Sequence, residues 1–174
     1  IDLPNDMTLR SITAYRKFDQ SYVVDADGTA FQLISNDMDS ALDQFSQEIQ
    51  LDGSLGRFNW LVGAFYYHLD QTTYAEQPYD FVFPGYYSTS DVDQTTDAFA
   101  LFSNLGLKVT EKLSVSAGIR YSYEKKKIDL DFTEYPFVVF GIPSLDTSES
   151  WDKVTPKIGA EYQISDNAMV YGSI

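Results

Sequence analysis

The alternation in segment 113–127 constrains the fold more than any other feature of this chain. Leu113, Val115, Ala117, Ile119, Tyr121 and Tyr123 fall at every second position, and Ser114, Ser116, Gly118, Arg120, Ser122 and Glu124 fill the gaps. An extended backbone sends successive side chains to opposite faces, so such a segment is a strand with one apolar and one polar face. Segment 43–52 repeats the pattern, with Phe45, Ile49 and Leu51 against Gln44, Ser46, Glu48 and Gln50. Segment 95–109 sets Phe99, Leu101, Leu105 and Leu107 against Ala98, Ala100, Asn104 and Gly106. Segment 153–164 sets Pro156, Ile158, Ala160 and Tyr162 against Thr155, Lys157, Gly159 and Glu161. Two further segments are less clear. In 8–22, Ile12 and Ala14 share a face with Arg10 and Arg16, and 58–70 is apolar on both faces, which leaves the outward side of each open. With a last segment at Met169, Val170 and Tyr171, about seven strands are expected.

The connections are of two kinds. Tight turns are expected at 55–57, 110–112 and 165–167, and long connections at 23–42, 71–94 and 128–152. The long ones are one-sided in charge. Windows 23–43, 71–97 and 128–152 hold Asp25, Asp27, Asp37, Asp39 and Asp43, then Glu76, Asp80, Asp91, Asp93 and Asp97, then Asp129, Asp131, Glu134, Asp146, Glu149 and Asp152, with no Lys or Arg among them. All 12 basic residues lie on strands, at strand ends or in the tight turns. Such segregation implies two environments. Short turns at one end, long loops at the other and apolar outward faces are the pattern of an antiparallel transmembrane β-barrel, with polar side chains toward its lumen. Segments of this length suit a tilted spanning strand, which needs about 9–11 residues. A soluble β-sandwich that binds carbohydrate through an aromatic loop is the alternative from another class.

Composition narrows the function classes. The net charge of −14 opposes binding to a phosphate backbone, so no nucleic-acid partner is expected. There is no cysteine, hence neither a disulfide framework nor a thiolate metal site. No nucleophile motif, phosphate-binding glycine loop or spaced histidine pair occurs, so no catalytic residue, resident metal or cofactor is expected and the chain does not read as an enzyme. His68 is the only histidine, and the sequence names no partner for it. The chain begins at Ile1 and stops inside a strand-like stretch. An open edge in lipid leaves unpaired backbone groups at several kcal/mol each, so the expectation is a fragment of a larger barrel. Pro156, which donates no ladder bond, is expected near a strand start or at a bulge. Asp27-Gly28 reads as a hairpin tip that extends the wall above the membrane.

Several phrases carry a resemblance. Ser11-Ile12-Thr13-Ala14-Tyr15-Arg16, Phe45-Ser46-Gln47-Glu48-Ile49-Gln50-Leu51, Trp60-Leu61-Val62-Gly63-Ala64-Phe65-Tyr66, Ala98-Phe99-Ala100-Leu101-Phe102, Gly118-Ile119-Arg120-Tyr121-Ser122-Tyr123-Glu124-Lys125-Lys126 and Val154-Thr155-Pro156-Lys157-Ile158-Gly159 resemble consecutive barrel strands of TonB-dependent outer-membrane receptors, in the expected order over nearly the whole chain. The resemblance implies a barrel of roughly 22 strands with a plugged lumen in the outer membrane of a Gram-negative bacterium. Such a barrel imports a scarce ligand, such as a ferric siderophore or another nutrient, with energy delivered by the TonB complex. The plug region and the remaining strands are absent from these 174 residues, which would be one partial barrel domain. A passive porin or structural barrel is the competing reading.

Site expectations follow from the topology. Tyr74, Tyr79, Phe81, Phe83, Tyr86 and Tyr87 in the second long connection are candidates for ligand capture, since exposed aromatics stack on rings and sugars and attract cations; packing into neighbouring loops or an interfacial girdle is the structural alternative. Glu48, Gln50, Asn104, Arg120, Glu124, Lys157 and Glu161 are candidates to face the lumen. Lys125, Lys126 and Lys127 are candidates to meet lipopolysaccharide phosphates as point charges. Asp25 with Asp27, and Asp91 with Asp93 and Asp97, hold too few oxygens alone for a hard cation, which takes six to eight. Loops this acidic are expected to repel an anionic chelate and to favour a neutral or cationic ligand.

Overall fold

The computed structural model describes residues 1–30, 33–79 and 84–174. The chain is all β: a single antiparallel sheet of eight strands in sequential order, β1 (Asp2–Leu3), β2 (Met7–Asp25), β3 (Ser35–Leu55), β4 (Phe58–Pro78), β5 (Tyr87–Lys108), β6 (Leu113–Tyr135), β7 (Leu145–Ser165) and β8 (Ala168–Ser173). Each strand pairs only with its neighbours in sequence, so the sheet is a meander whose two edges, β1 and β8, stay apart. The eighth strand is β1, too short to carry a readable alternation.

The strands run much further than the sequence suggests. Most of the long connections are ladder: β2 continues to Asp25, β4 to Pro78 and β6 to Tyr135, and their partners begin at Ser35, Tyr87 and Leu145. Acidic, Ser- and Thr-rich stretches lack the apolar side chains that mark a strand, yet the cross-strand ladder carries them as hairpin arms. The tight turns fall as expected. Gly56 turns with φ 62° between β3 and β4, a left-handed conformation that a residue with a Cβ adopts at a cost. The Thr110 hydroxyl accepts from the N–H groups of Lys112 (3.2 Å) and Leu113 (2.9 Å) between β5 and β6.

Register decides the faces. Trp60 pairs with Leu105, and Leu105 with Ala117; Ala64 pairs with Leu101, and Leu101 with Tyr121. The even residues of β4 therefore lie on the apolar side, and Leu61, Gly63, Phe65, Tyr67 and Leu69 on the other. Leu9 pairs with Leu51 and Tyr15 with Phe45, which places Arg10, Ile12, Ala14 and Arg16 of β2 on the polar face. The two faces differ in crowding. All exposed large hydrophobics of β3 to β6 (Phe45, Ile49 and Leu55; Phe58, Val62, Tyr66 and Tyr74; Phe99, Leu101 and Leu105; Ile119, Tyr121, Tyr123 and Tyr135) lie on the apolar face, whereas Ala100, 1% exposed, sits in the opposite one.

The apolar band runs 58–66 on β4 and 113–123 on β6, about 26–33 Å along the strands. At the 35–45° tilt of membrane barrels this matches a hydrocarbon-facing band about 25 Å tall. Tyr15 and Phe45, with Tyr66, Phe99 and Tyr123 one row below them, close it on the hairpin side as a staggered aromatic row. Beyond that row, segment 67–78 extends a further 40 Å or so along β4.

Pro156 departs from expectation: it lies inside β7, paired with Ile119, and the one irregularity of that strand falls at Gln163/Ser165. The alternation of ladder bonds explains the tolerance. Ile158 exchanges backbone bonds with Ile174 on the β8 side (2.9 and 3.0 Å), and Gln163 donates to Lys112 on the β6 side. Position 156 shares the parity of 158, so its ring nitrogen points to the β8 side and removes no bond from the β6–β7 ladder.

Candidate functional site

Beyond the aromatic row, the hairpin arms end in turns organised by single carboxylates. At the β2–β3 tip, Asp27 Oδ1 accepts from the Thr29 N–H and hydroxyl (2.8 and 2.6 Å), and Oδ2 from the N–H groups of Leu33 and Ile34 (both 2.8 Å). These bonds stabilise the carboxylate and hold its pKa well below the usual range, the Thr29 hydroxyl first. Asp25 Oδ1 accepts from the N–H groups of Asp27 and Gly28, and Gly28 takes φ 65°. The hairpin tip is thus present, and both acids are engaged by backbone donors. No group of three or more His, Asp or Glu arranged to hold a metal ion occurs among the described residues.

The tips of β4–β5 and β6–β7 meet. Tyr86 is 2% exposed, its ring stacked on Phe137 (centroids 5.5 Å, planes 26° apart), and its hydroxyl donates to Glu134 Oε1. Glu134 also accepts from the N–H groups of Val139 (3.1 Å), Phe140 (2.9 Å) and Gly141 (2.9 Å), so one carboxylate ties turn 136–144 to the neighbouring hairpin. Burial raises the Glu134 pKa and these donors lower it; the donors win, to about 2. Burial, then Glu134 itself, pushes the Tyr86 phenol up to about 12. Tyr79 packs against Tyr86 (5.6 Å) and Phe140 (6.3 Å), and its hydroxyl donates to Gln77 (2.8 Å). Around this knot the turn is uncharged and presents Val138 (72% exposed) and Phe140 (61%) outward.

A depressed carboxylate pKa stabilises the turn above the unfolded value near 4.5, and that stability is lost as pH falls through the folded value near 2. Hydrogen exchange of the Val139, Phe140 and Gly141 amides, taken relative to the intrinsic rate at each pH, is therefore expected to be protected at pH 5 and to lose that protection between about pH 4.5 and 2. Glu134→Gln should show the unprotected pattern at every pH.

The six aromatic candidates divide. Tyr79 and Tyr86 pack into the neighbouring turn, as the structural alternative held, with Phe137, Phe140 and Glu134 as partners that the sequence did not single out. Tyr87 lies against Tyr135 (5.4 Å). Tyr74 stands on the apolar-side face of β4 and donates to Glu76 (3.2 Å). Phe81 and Phe83, with Asp80, lie outside the described residues.

The seven residues expected toward the lumen all fall on the polar face. Glu48 and Gln50 are bonded to each other, and Arg10 donates to Gln50 (2.9 Å). Arg120 donates to Ser122 (2.9 Å) and lies over the Phe102 ring (5.6 Å). Asn104 lies beside Gly118, which pairs with Lys157, while Ser114 pairs with Glu161, and Glu124 sits 3.5 Å from Lys126. The lysine run does not form one patch. Lys125 and Lys127 point to the apolar side and Lys126 to the polar side, because a strand alternates; Lys127 pairs with Asp146 (3.5 Å). His68 has partners after all, Asp97 (2.8 Å) on β5 and Asp70 (3.0 Å) on its own strand.

The sheet, its girdled apolar band and its long one-ended hairpins define a wall of a membrane-spanning β-barrel. The model of the TonB-dependent receptor-like β-barrel family matches residues 2–174, and the chain belongs to that family, whose members are Gram-negative outer-membrane proteins. Solved structures with the same fold include the ferric yersiniabactin uptake receptor FyuA from Yersinia pestis (18% identity, 98% of this chain and 26% of that one, TM-score 0.80). The siderophore receptor PiuA from Acinetobacter baumannii (15%, 99% and 30%, 0.74) and the ferric-catecholate import receptor Fiu from E. coli K12 in its open form (18%, 99% and 33%, 0.68) share it as well. The chain thus spans about a quarter to a third of these receptors. No curated protein sequence matches it.

Proposed function

We propose that this chain is part of the barrel wall and outer hairpins of an active importer, with its apolar face in lipid and its polar face toward a plugged lumen. The observation that carries the reading is the register: Glu48, Gln50, Asn104, Arg120, Glu124, Lys157 and Glu161 share one face, and the opposite face holds an apolar band of membrane height closed by an aromatic row. The parent receptor would take up a scarce ligand, such as a ferric siderophore or another nutrient, drawing energy from the TonB complex through its plug region. The role is transport, without catalysis. On the lipid side, Lys125 and Lys127 stand at the level of the outer headgroups, where lipopolysaccharide phosphates are their natural partners. Lys125 has no carboxylate within 4 Å among the described residues.

Conductance of the full-length receptor in a planar bilayer tests the proposal without a known ligand. A plugged importer is expected to be silent until urea loosens the plug, and to close again when urea is removed. A steady conductance without denaturant would assign the chain to a passive porin instead.

A further inference from the structure

Most acids of the hairpin arms lie on the apolar-side face, with Glu134 and Glu149 the exceptions. Register places Asp19, Asp93, Asp129 and Asp146 in one row and Asp39, Asp91 and Asp131 in the next, all on the apolar-side face. The opposite face of the same arms carries no charge through three successive rows, those that run across the sheet through Gln71, Thr73 and Ala75. The row of Gln71 joins Leu42, Gln94 and Ile128; that of Thr73 joins Ser40, Val92 and Leu130. Among the described residues, charge resumes on this face at Arg16, Lys126 and Glu149 below, and at Glu134 above, whose carboxylate is bonded to Tyr86 and to turn 136–144.

We infer that this part of the entrance is an uncharged binding wall, which holds the neutral, amide- or hydroxyl-bearing part of the ligand by hydrogen bonds and apolar contact. The inference rests on the reading that the polar face lines the lumen. Gln71 opposite Gln94, and Ser40 opposite Thr73 with hydroxyls 3.4 Å apart, offer donors and acceptors together. Ile128 and Leu130 offer an apolar strip beside them. An ionic group brought to this wall would lose hydration and find no counter-ion, whereas an amide, a sugar hydroxyl or an alkyl segment would find its match. Acids one residue away along each strand act on the other side of the sheet. They keep the outer wall soluble.

The test places single cysteines in the full-length receptor on cells, at Gln71 or Thr73 on the inner face and at Thr72, opposite Asp93, on the outer one. Reaction rates are compared for a cationic and an anionic methanethiosulfonate of equal size. Local charge reaches about 8 Å in physiological salt, so the rate ratio reads the field at each face. At Thr72→Cys the cationic reagent is expected to lead by about tenfold or more; at Gln71→Cys and Thr73→Cys the two should agree within about threefold. A tenfold preference of either sign at the inner positions would overturn the inference. A polyethylene-glycol maleimide too bulky to enter a barrel separates the underlying reading: it should label Thr72→Cys alone, and equal labelling of Gln71→Cys would show that the face assignment has failed.

Discussion

Ile119→Arg is expected to destabilise the barrel by about 2–4 kcal/mol, the cost of a guanidinium at the bilayer midplane on the lipid face. Ile119 lies near the middle of the β6 apolar band, between Ser103 and Pro156, and is 53% exposed on the apolar face. Arg120, one residue on, is native and points to the opposite face, over Phe102. The contrast isolates the face from the charge. Asn104→Arg, exposed on the polar face one row from Arg120, should cost well under 1 kcal/mol, as surface substitutions do. Urea titration of the full receptor refolded into vesicles, with heat-shifted gel mobility as a second readout, measures both. Equal costs for the two variants would mean that the faces do not meet different media.

Gly63→Val carries the second large effect. Gly63 lies on the polar face of β4 with the Phe102 ring across it, and a Cβ built there stands 2.7 Å from Phe102 Cε2 and 3.0 Å from the Ile49 carbonyl oxygen. Arg120 lies over the same ring, so a shift of Phe102 would also disturb that contact. The backbone oxygen belongs to the β3–β4 ladder. Overpacking of this kind costs about 1–3 kcal/mol. Gly106→Ala is the control: its Cβ would meet nothing nearer than 3.8 Å, so the change should be neutral or stabilise by up to about 1 kcal/mol, since glycine is a poor strand residue. Urea midpoints of the two variants, taken with unchanged slopes, decide the matter. A Gly63→Val protein as stable as the parent would show that Phe102 does not close over this position.

The carboxylate knot at Glu134 was the part of the site least visible in sequence. Glu134 reads as one of six acids in a long connection, and Tyr86 as one of six aromatics in another; they are 48 residues apart. No local spacing links them. Their meeting depends on two adjacent hairpins reaching the same height, which the β5–β6 ladder sets by pairing Ser88 with Glu134 and Tyr87 with Tyr135. The partners of His68 were hidden for the same reason, since Asp97 reaches it only across the β4–β5 ladder.

By itself the sequence determined the properties that live within one strand. Alternation at period two is local, so the apolar and polar faces of β3, β5, β6 and β7 were legible, as were the tight turns, the hairpin tip at Asp27-Gly28 and the family resemblance. Tertiary structure decided whatever depends on how one strand sits against the next. It oriented β2 and β4, whose own patterns were blurred or apolar throughout. It turned most of three presumed loops into ladder, and it set most acids of those arms on the apolar-side face. The physical reason is that a one-residue change of register reverses every side chain of a strand. Composition cannot express that choice, and only the pairing of distant segments makes it.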